Sequence, residues 1–457
     1  MKKLLLFIAS MLMTVSLMAA DLKTSEPMKL AETTIKGVAL SAPVEEAPSL
    51  SQFEVPVVEA IKLSEKNITD GIENAQRTGI RKAPAATVKI SGLVDASTIA
   101  DNAVIELVGN ANLFMDVSKT FKCISGDYAL TLSGGNTLTL SNAEGYAINV
   151  SSVTISCHLV VQASSVAIAA TSDITINNSV NAKSTNTCIG TLHGTISINA
   201  DVIATTSSSA AILNRGINGG GDIIINKGTI TATGGNSGTW AYGIAAMGSI
   251  TSKEGTIIHA TAGTGIYSET GNIHLAGNVT ATAKGTEGYG IYAKAGTATL
   301  SQVTVPQSFI AIGATSGLTL NGTVDAKSTN TCIGAYEGTL TINADVTAIT
   351  TSSAAILNRS GNIIINSGTI NVSGGVNGDW HYGIAAMGNI TATESATINA
   401  TGGTAIYSET GNINLAGSVT ATAKHSEGYG IYAKAGSATL SQVTVPQSFI
   451  AIGATSG

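Results

Sequence analysis

From Lys89 onward, apolar and polar residues alternate in short runs. In "GNIIINSGTINVSGG" (361–375), Ile363, Ile365, Ile370 and Val372 recur at a period of two, mostly against Asn, Ser and Thr. That spacing predicts strands with one buried and one solvated face. Gly, Asn and Asp punctuate the runs too closely for a crossover helix. A small residue followed by Ile keeps returning, at Ile189, Ile212, Ile244, Ile266, Ile291 and Ile312, then at Ile333, Ile356, Ile384, Ile406, Ile431 and Ile452. The steps run from 21 to 25 residues, except for 32 before Ile244 and 28 before Ile384. A coil of that length cannot close a core alone, but stacked coils can. The expected fold is therefore all-β, a parallel β-helix solenoid, with right-handed winding the better expectation for coils of this size. The two wide steps fit coils carrying a loop, "GGNSGTWA" (234–241) and "GGVNGDWH" (374–381).

A longer period overlies the coil. "NAKSTNTCIG" (181–190) returns as "DAKSTNTCIG" (325–334), and "AAILNR" (210–215) returns at 354–359, both at an offset of 144. The second copy is then four residues shorter, and 227–313 matches 367–453 at 65 of 87 positions. Each copy of about 140 residues holds six coils. We read diverged coils to about residue 172, one long repeat over about 173–316 and a second over about 317–457. "EGYAINVSSVTIS" (144–156) is a diverged counterpart of "EGYGIYAKAGTATLS" (287–301). The chain stops at the station of Gly317, where the earlier copy runs on, so a longer array is expected. Cys188 and Cys332 share a station six coils apart, roughly 29 Å at the strand spacing, too far to bridge.

The first twenty residues have the form of a secretory signal peptide: Lys2 and Lys3, an apolar run, then Ala19 and Ala20. No later stretch is apolar for long enough to cross a membrane as a helix. Residues 21–88 carry 18 charged residues and five of the seven prolines, and read as a leader or linker. The solenoid would then be 89–457. Charged residues make up 11% of the chain and aromatics 4%, well below globular norms. The net charge of −6 supplies no basic footprint for nucleic acid. Cys123, Cys157, Cys188 and Cys332 match no zinc spacing and read as small buried hydrophobes.

Candidate chemistry is sparse. Lyases of the pectate-lyase-like superfamily use clustered carboxylates for Ca²⁺ and an Arg or Lys base. Here Asp173, Asp201, Asp222, Glu254 and Glu269 are scattered singly, and Arg215 and Arg359 are the only arginines beyond residue 88. The six histidines show no metal spacing; His259 and His274 face Asn399 and Asn414 in the second copy, as solvated positions do. "GINGGGD" (216–222) occurs once and reads as a loop. A regular Thr-x-Thr ladder of the ice-binding kind is absent. No catalytic set, metal or cofactor is expected. Aromatic residues are the candidate site. Trp240 and Tyr242, then Trp380 and Tyr382, flank the two loops, and Tyr267, Tyr292, Tyr407 and Tyr432 follow marker isoleucines. These last four are expected to form short outward stacks. Flat rings can stack on sugars or on a protein partner; alternatively, the rings beside the loops cover a widened coil.

The signal peptide, charged leader and Gly/Ala/Thr/Asn-rich coils resemble adhesin-like β-helix surface proteins of Gram-negative bacteria. They are also similar to carbohydrate-binding β-helix domains of secreted bacterial proteins. The resemblance implies an extracellular or outer-surface location and a non-enzymatic role in binding glycans or host surface proteins. A polysaccharide lyase or hydrolase on the same scaffold, and a plain spacer stalk, are the alternatives.

Overall fold

The computed structural model describes residues 85–456, apart from 143–144, 164, 218–220, 238–239 and 378–380. The expected signal peptide, nearly all of the leader, and Trp380 lie outside the described residues. The first strand, Thr87–Asp95, starts two residues before the composition switch at Lys89. From there the chain is a parallel β-solenoid of about 16 turns.

One coil shows the plan. Ile189–Thr191, Ile196–Ile198 and Val202–Thr206 are three short strands, with Ile189, Ile196, Ile198, Val202 and Ala204 buried. Each strand pairs in parallel with its counterparts in the coils before and after, as Ile189 does with Ile168 and with Ile212. Three parallel sheets result, one per strand station. Where the corner between the second and third sheets is slight, the two strands run on as one, as in Ile273–Ala283 and Ile413–Ala423.

All twelve marker isoleucines fall in one column of the first sheet, each opposite the next. The column extends back through Ile168, Ile148, Ile124 and Ile105, so the diverged coils keep it as well. At about 4.8 Å per rung, Ile105 to Ile452 spans about 70 Å. Burying each isoleucine contributes roughly 1.5–3 kcal/mol. This repeated increment helps to offset the entropy of ordering the coils.

Polar residues hold the corners. Between the second and third sheets, Asn199 Nδ2 donates to Asn177 Oδ1 at 2.8 Å and Asn226 Nδ2 donates to Asn199 Oδ1 at 2.9 Å. The second copy repeats this ladder through Asn321, Asn343 and Asn366, at 2.9 and 2.7 Å. Just after each ladder stands a glycine in the left-handed region, Gly228 at φ +102° and Gly368 at φ +101°. A Cβ on Gly228 would lie 2.5 Å from the Ala200 carbonyl carbon, so only glycine fits. All four cysteines are free, and Cys157, Cys188 and Cys332 are buried in the core. Burial pushes the Cys157 thiol up to about 11 and those of Cys188 and Cys332 up to about 12.

Candidate functional site: an aromatic seam on the first sheet

The residue after each marker isoleucine lies on the side of the first sheet away from the core. In register, these positions read Gly190, Leu213, Ala245, Tyr267, Tyr292, Gly313, and then Gly334, Leu357, Ala385, Tyr407, Tyr432, Gly453. The same six-letter word is thus written twice. Each of the two tyrosines of a word stacks with a tyrosine that opens a strand two residues before a marker isoleucine. Tyr242 lies on Tyr267 at 4.9 Å between centroids, and Tyr289 on Tyr292 at 4.1 Å. Tyr382 on Tyr407 and Tyr429 on Tyr432 repeat this at 4.7 and 4.1 Å. Small residues form the floor. A Cβ on Gly313 would come within 3.1 Å of Tyr292 and 3.2 Å of Tyr289.

The expected outward stacks are covered by further rings. The stacks exist, and on the expected side of the sheet, but Tyr267, Tyr292, Tyr407 and Tyr432 are each only 3% exposed. Tyr267 and Tyr292 join Leu213, Tyr242, Tyr289 and Tyr336 in a second apolar cluster outside the main core, and Tyr407 and Tyr432 belong to a third in the second copy. Tyrosine rings each remove a large apolar area from water when they cover one another. These four rings are therefore almost wholly covered by their neighbours. Of the expected platform residues, Trp240 and Tyr382 are half-buried and Tyr242 is buried. Burial raises the phenols: Tyr336 and Tyr429 are pushed up to about 12, and Tyr267 higher still, by desolvation first and then by its neighbours Tyr242 and Glu269.

Charged groups edge the seam. Lys294 Nζ lies 2.5 Å from Glu269 Oε1, and Tyr267 Oη donates to the same carboxylate. Lys434, Glu409 and Tyr407 repeat the trio. Glu269 and Lys294 each stand three residues after a marker isoleucine, a spacing that pairs them across adjacent coils although each stands alone in the sequence. Arg215 and Arg359 stand at equivalent stations of the two copies but have different aromatic neighbours. Arg215 lies over the Trp240 ring, its guanidinium carbon 5.2 Å from the centroid, whereas Arg359 lies over Tyr336 at 5.6 Å. Position 336 is leucine in the first copy, Leu192. Trp240 meets Tyr242 edge-on at 6.5 Å. Leu213, Arg215, Trp240, Tyr267 and Glu269 line a hollow of about 30 Å³.

Most scattered acids have structural roles. Asp173, Asp201 and Asp222 each accept a backbone N–H from the next coil, from Thr195, Thr229 and Ser249, all at 2.7 Å. His259 and His274 are exposed, in keeping with solvated stations, but His381 is buried. Among the described residues no group of three or more His, Cys, Asp or Glu is placed to hold a metal ion. One open groove, of about 570 Å³, runs along the second sheet past Thr251, Lys253, Glu254 and His274. Among the described residues no helix is long and apolar enough to cross a membrane. No family model, curated protein or solved structure matches the chain.

Proposed function

We propose that this chain is an exported, adhesin-like, non-enzymatic rod that binds glycans at the edge of its aromatic seam. The observation that carries the reading is Trp240. It is half-buried, faced by Arg215, and braced edge-on by Tyr242, which itself rests on Tyr267. An aromatic ring held in place from behind presents apolar surface to a sugar at little further entropic cost. The doubled architecture supports the reading, because a rod with copies six coils apart can engage a repetitive polymer at more than one point. The test is binding of the full chain to a glycan array, then of Trp240→Ala. Signal above background that falls at least tenfold in the variant, with an unchanged melting profile, is the expected result. An array with no signal ends the proposal.

A polysaccharide-cleaving enzyme is the second reading. It is favoured by the open groove, where Lys253, Glu254 and His274 bring three titratable side chains together. The second copy keeps only the acid there, as Glu394, with Thr393 and Asn414 at the other stations. Release of unsaturated or reducing ends from a pectin panel would favour it over the binding rod.

A further inference from the structure

We infer that Arg215 and Trp240 form a subsite for the anionic group of an acidic sugar, a carboxylate or sulfate carried on a hexose ring. The inference rests on the glycan-binding reading and gives it a ligand class.

Three observations meet at this corner. The first is charge. Among the described residues no carboxylate lies within ion-pairing distance of Arg215. The acid that lines the same hollow, Glu269, is engaged by Lys294 at 2.5 Å and by the Tyr267 hydroxyl. Counting Arg215, Glu269 and Lys294 together leaves one positive charge uncompensated. A guanidinium taken partly out of water without an anion is in an unfavourable state that a bound anion relieves.

The second observation is placement. The Arg215 backbone N–H donates to Thr191 O at 3.0 Å. The neighbouring Asn214 is fully buried, and its side chain donates to Gly194 O and to Asp222 O, both at 2.9 Å. Trp240 is fixed by Tyr242, which rests on Tyr267. The Arg215 guanidinium, anchored at its backbone and lying over the Trp240 ring, is placed to donate to an oxygen of a carboxylate or sulfate. The third observation is size. A hollow of about 30 Å³ accepts a group no larger than a water molecule. One oxygen of the acid fits there, while the sugar ring must lie outside, against the open part of the indole.

The second copy supplies an internal control. Its arginine, Arg359, is seated over Tyr336, a ring that the first copy lacks because Leu192 stands there. Arg359 thus has an aromatic neighbour that Arg215 lacks, and the comparison of the two arginines is a comparison of Leu192 with Tyr336.

The experiment uses the full chain and three probes: tetragalacturonate, a κ-carrageenan tetrasaccharide that carries sulfate but no carboxylate, and neutral maltotetraose. Binding is followed by calorimetry and by the fluorescence of the two tryptophans. At least one acidic probe should bind roughly tenfold more tightly than the neutral one, with the advantage shrinking as salt is raised. Which acidic probe wins identifies the acid as carboxylate or sulfate. Arg215→Gln should erase the advantage and Arg359→Gln should keep it. Arg215→Lys, which holds the charge without the fork, should retain only part of it and covers the case in which Arg215→Gln does not fold. Equal binding of acidic and neutral probes, or an advantage that survives both Arg215 variants, overturns the inference and leaves glycan binding standing. Binding of none of the three, together with a blank array, removes the glycan reading itself.

Discussion

Single residues set where this backbone can pass. Gly290 illustrates the point. It precedes marker Ile291, and a Cβ there would meet Val305 Cγ1 at 2.5 Å across the core. Gly430 repeats the contact with Val445 at 2.5 Å, so the requirement belongs to the station and not to one coil. Gly135, in contrast, has nothing within 4 Å of its Cβ direction. Gly290→Ala should therefore lower stability by about 1–3 kcal/mol, as overpacking does, and Gly135→Ala should change it by less than about 0.5 kcal/mol. Urea titration of the two variants side by side is the measurement, and equal midpoints would contradict the packing argument. The tyrosines give a second residue-scale prediction. Tyr336 and Tyr429 are raised to about 12, from an ordinary value near 10. The folded state thus holds their protons more tightly than the unfolded state does. Their contribution is complete below pH 10 and is lost as pH rises from about 10 towards 12. Melting temperature should fall steeply in that window, together with a delayed phenolate absorbance; phenolate appearing in full near pH 10 with the fold intact would refute the burial.

At the scale of elements, the periodic features were readable and the layered ones were not. Period-two alternation and the returning isoleucine fixed which side chains face the core, and every marker isoleucine stands in one column. The same alternation placed Tyr267 and Tyr292 on the opposite side of the sheet. It could not tell whether a further layer of rings lay on that side, because the cover comes from Tyr242 and Tyr289, whose stations precede the marker. The Arg215 corner was hidden for a related reason. The two arginines differ through residue 192, one coil back, a leucine where the second copy places Tyr336 under Arg359. Such neighbours are near in space and over twenty residues apart in sequence. The asparagine ladders are the clearest inter-coil element. Asn199 both donates to Asn177 and accepts from Asn226. Asn199→Ala removes two hydrogen bonds at a partly exposed corner and should cost about 1–2 kcal/mol. Asn343→Ala, which breaks the same two links in the second copy, should cost the same within error. A thermal melt that separates the two variants widely would show that the corners are not equivalent.

At the scale of the whole molecule, the fold makes distance along the rod proportional to coil number. Equivalent surface stations of the two copies must therefore stand at one fixed separation. His274 and Asn414 are such a pair, both exposed and joined by an unbroken chain of register partners through Thr299, Thr319, Thr341, Ile364 and Thr391. Six rungs of about 4.8 Å put their Cα atoms about 29 Å apart. Cysteines introduced at these two positions can be spin-labelled selectively, because Cys157, Cys188 and Cys332 are buried with raised thiols and Cys123 is partly buried with its thiol raised too. The distance distribution from pulsed electron resonance should be single and centred near about 29 Å, widened only by the label arms. A hinge between the copies would broaden or split it. Two independently folded halves would move it to a value with no relation to the coil count. The same separation matters for binding, since a polymer that touches both copies must place its contacts at that interval. A ligand too short to span it should gain nothing from the second copy, and that is how avidity along the rod can be told apart from a better single site.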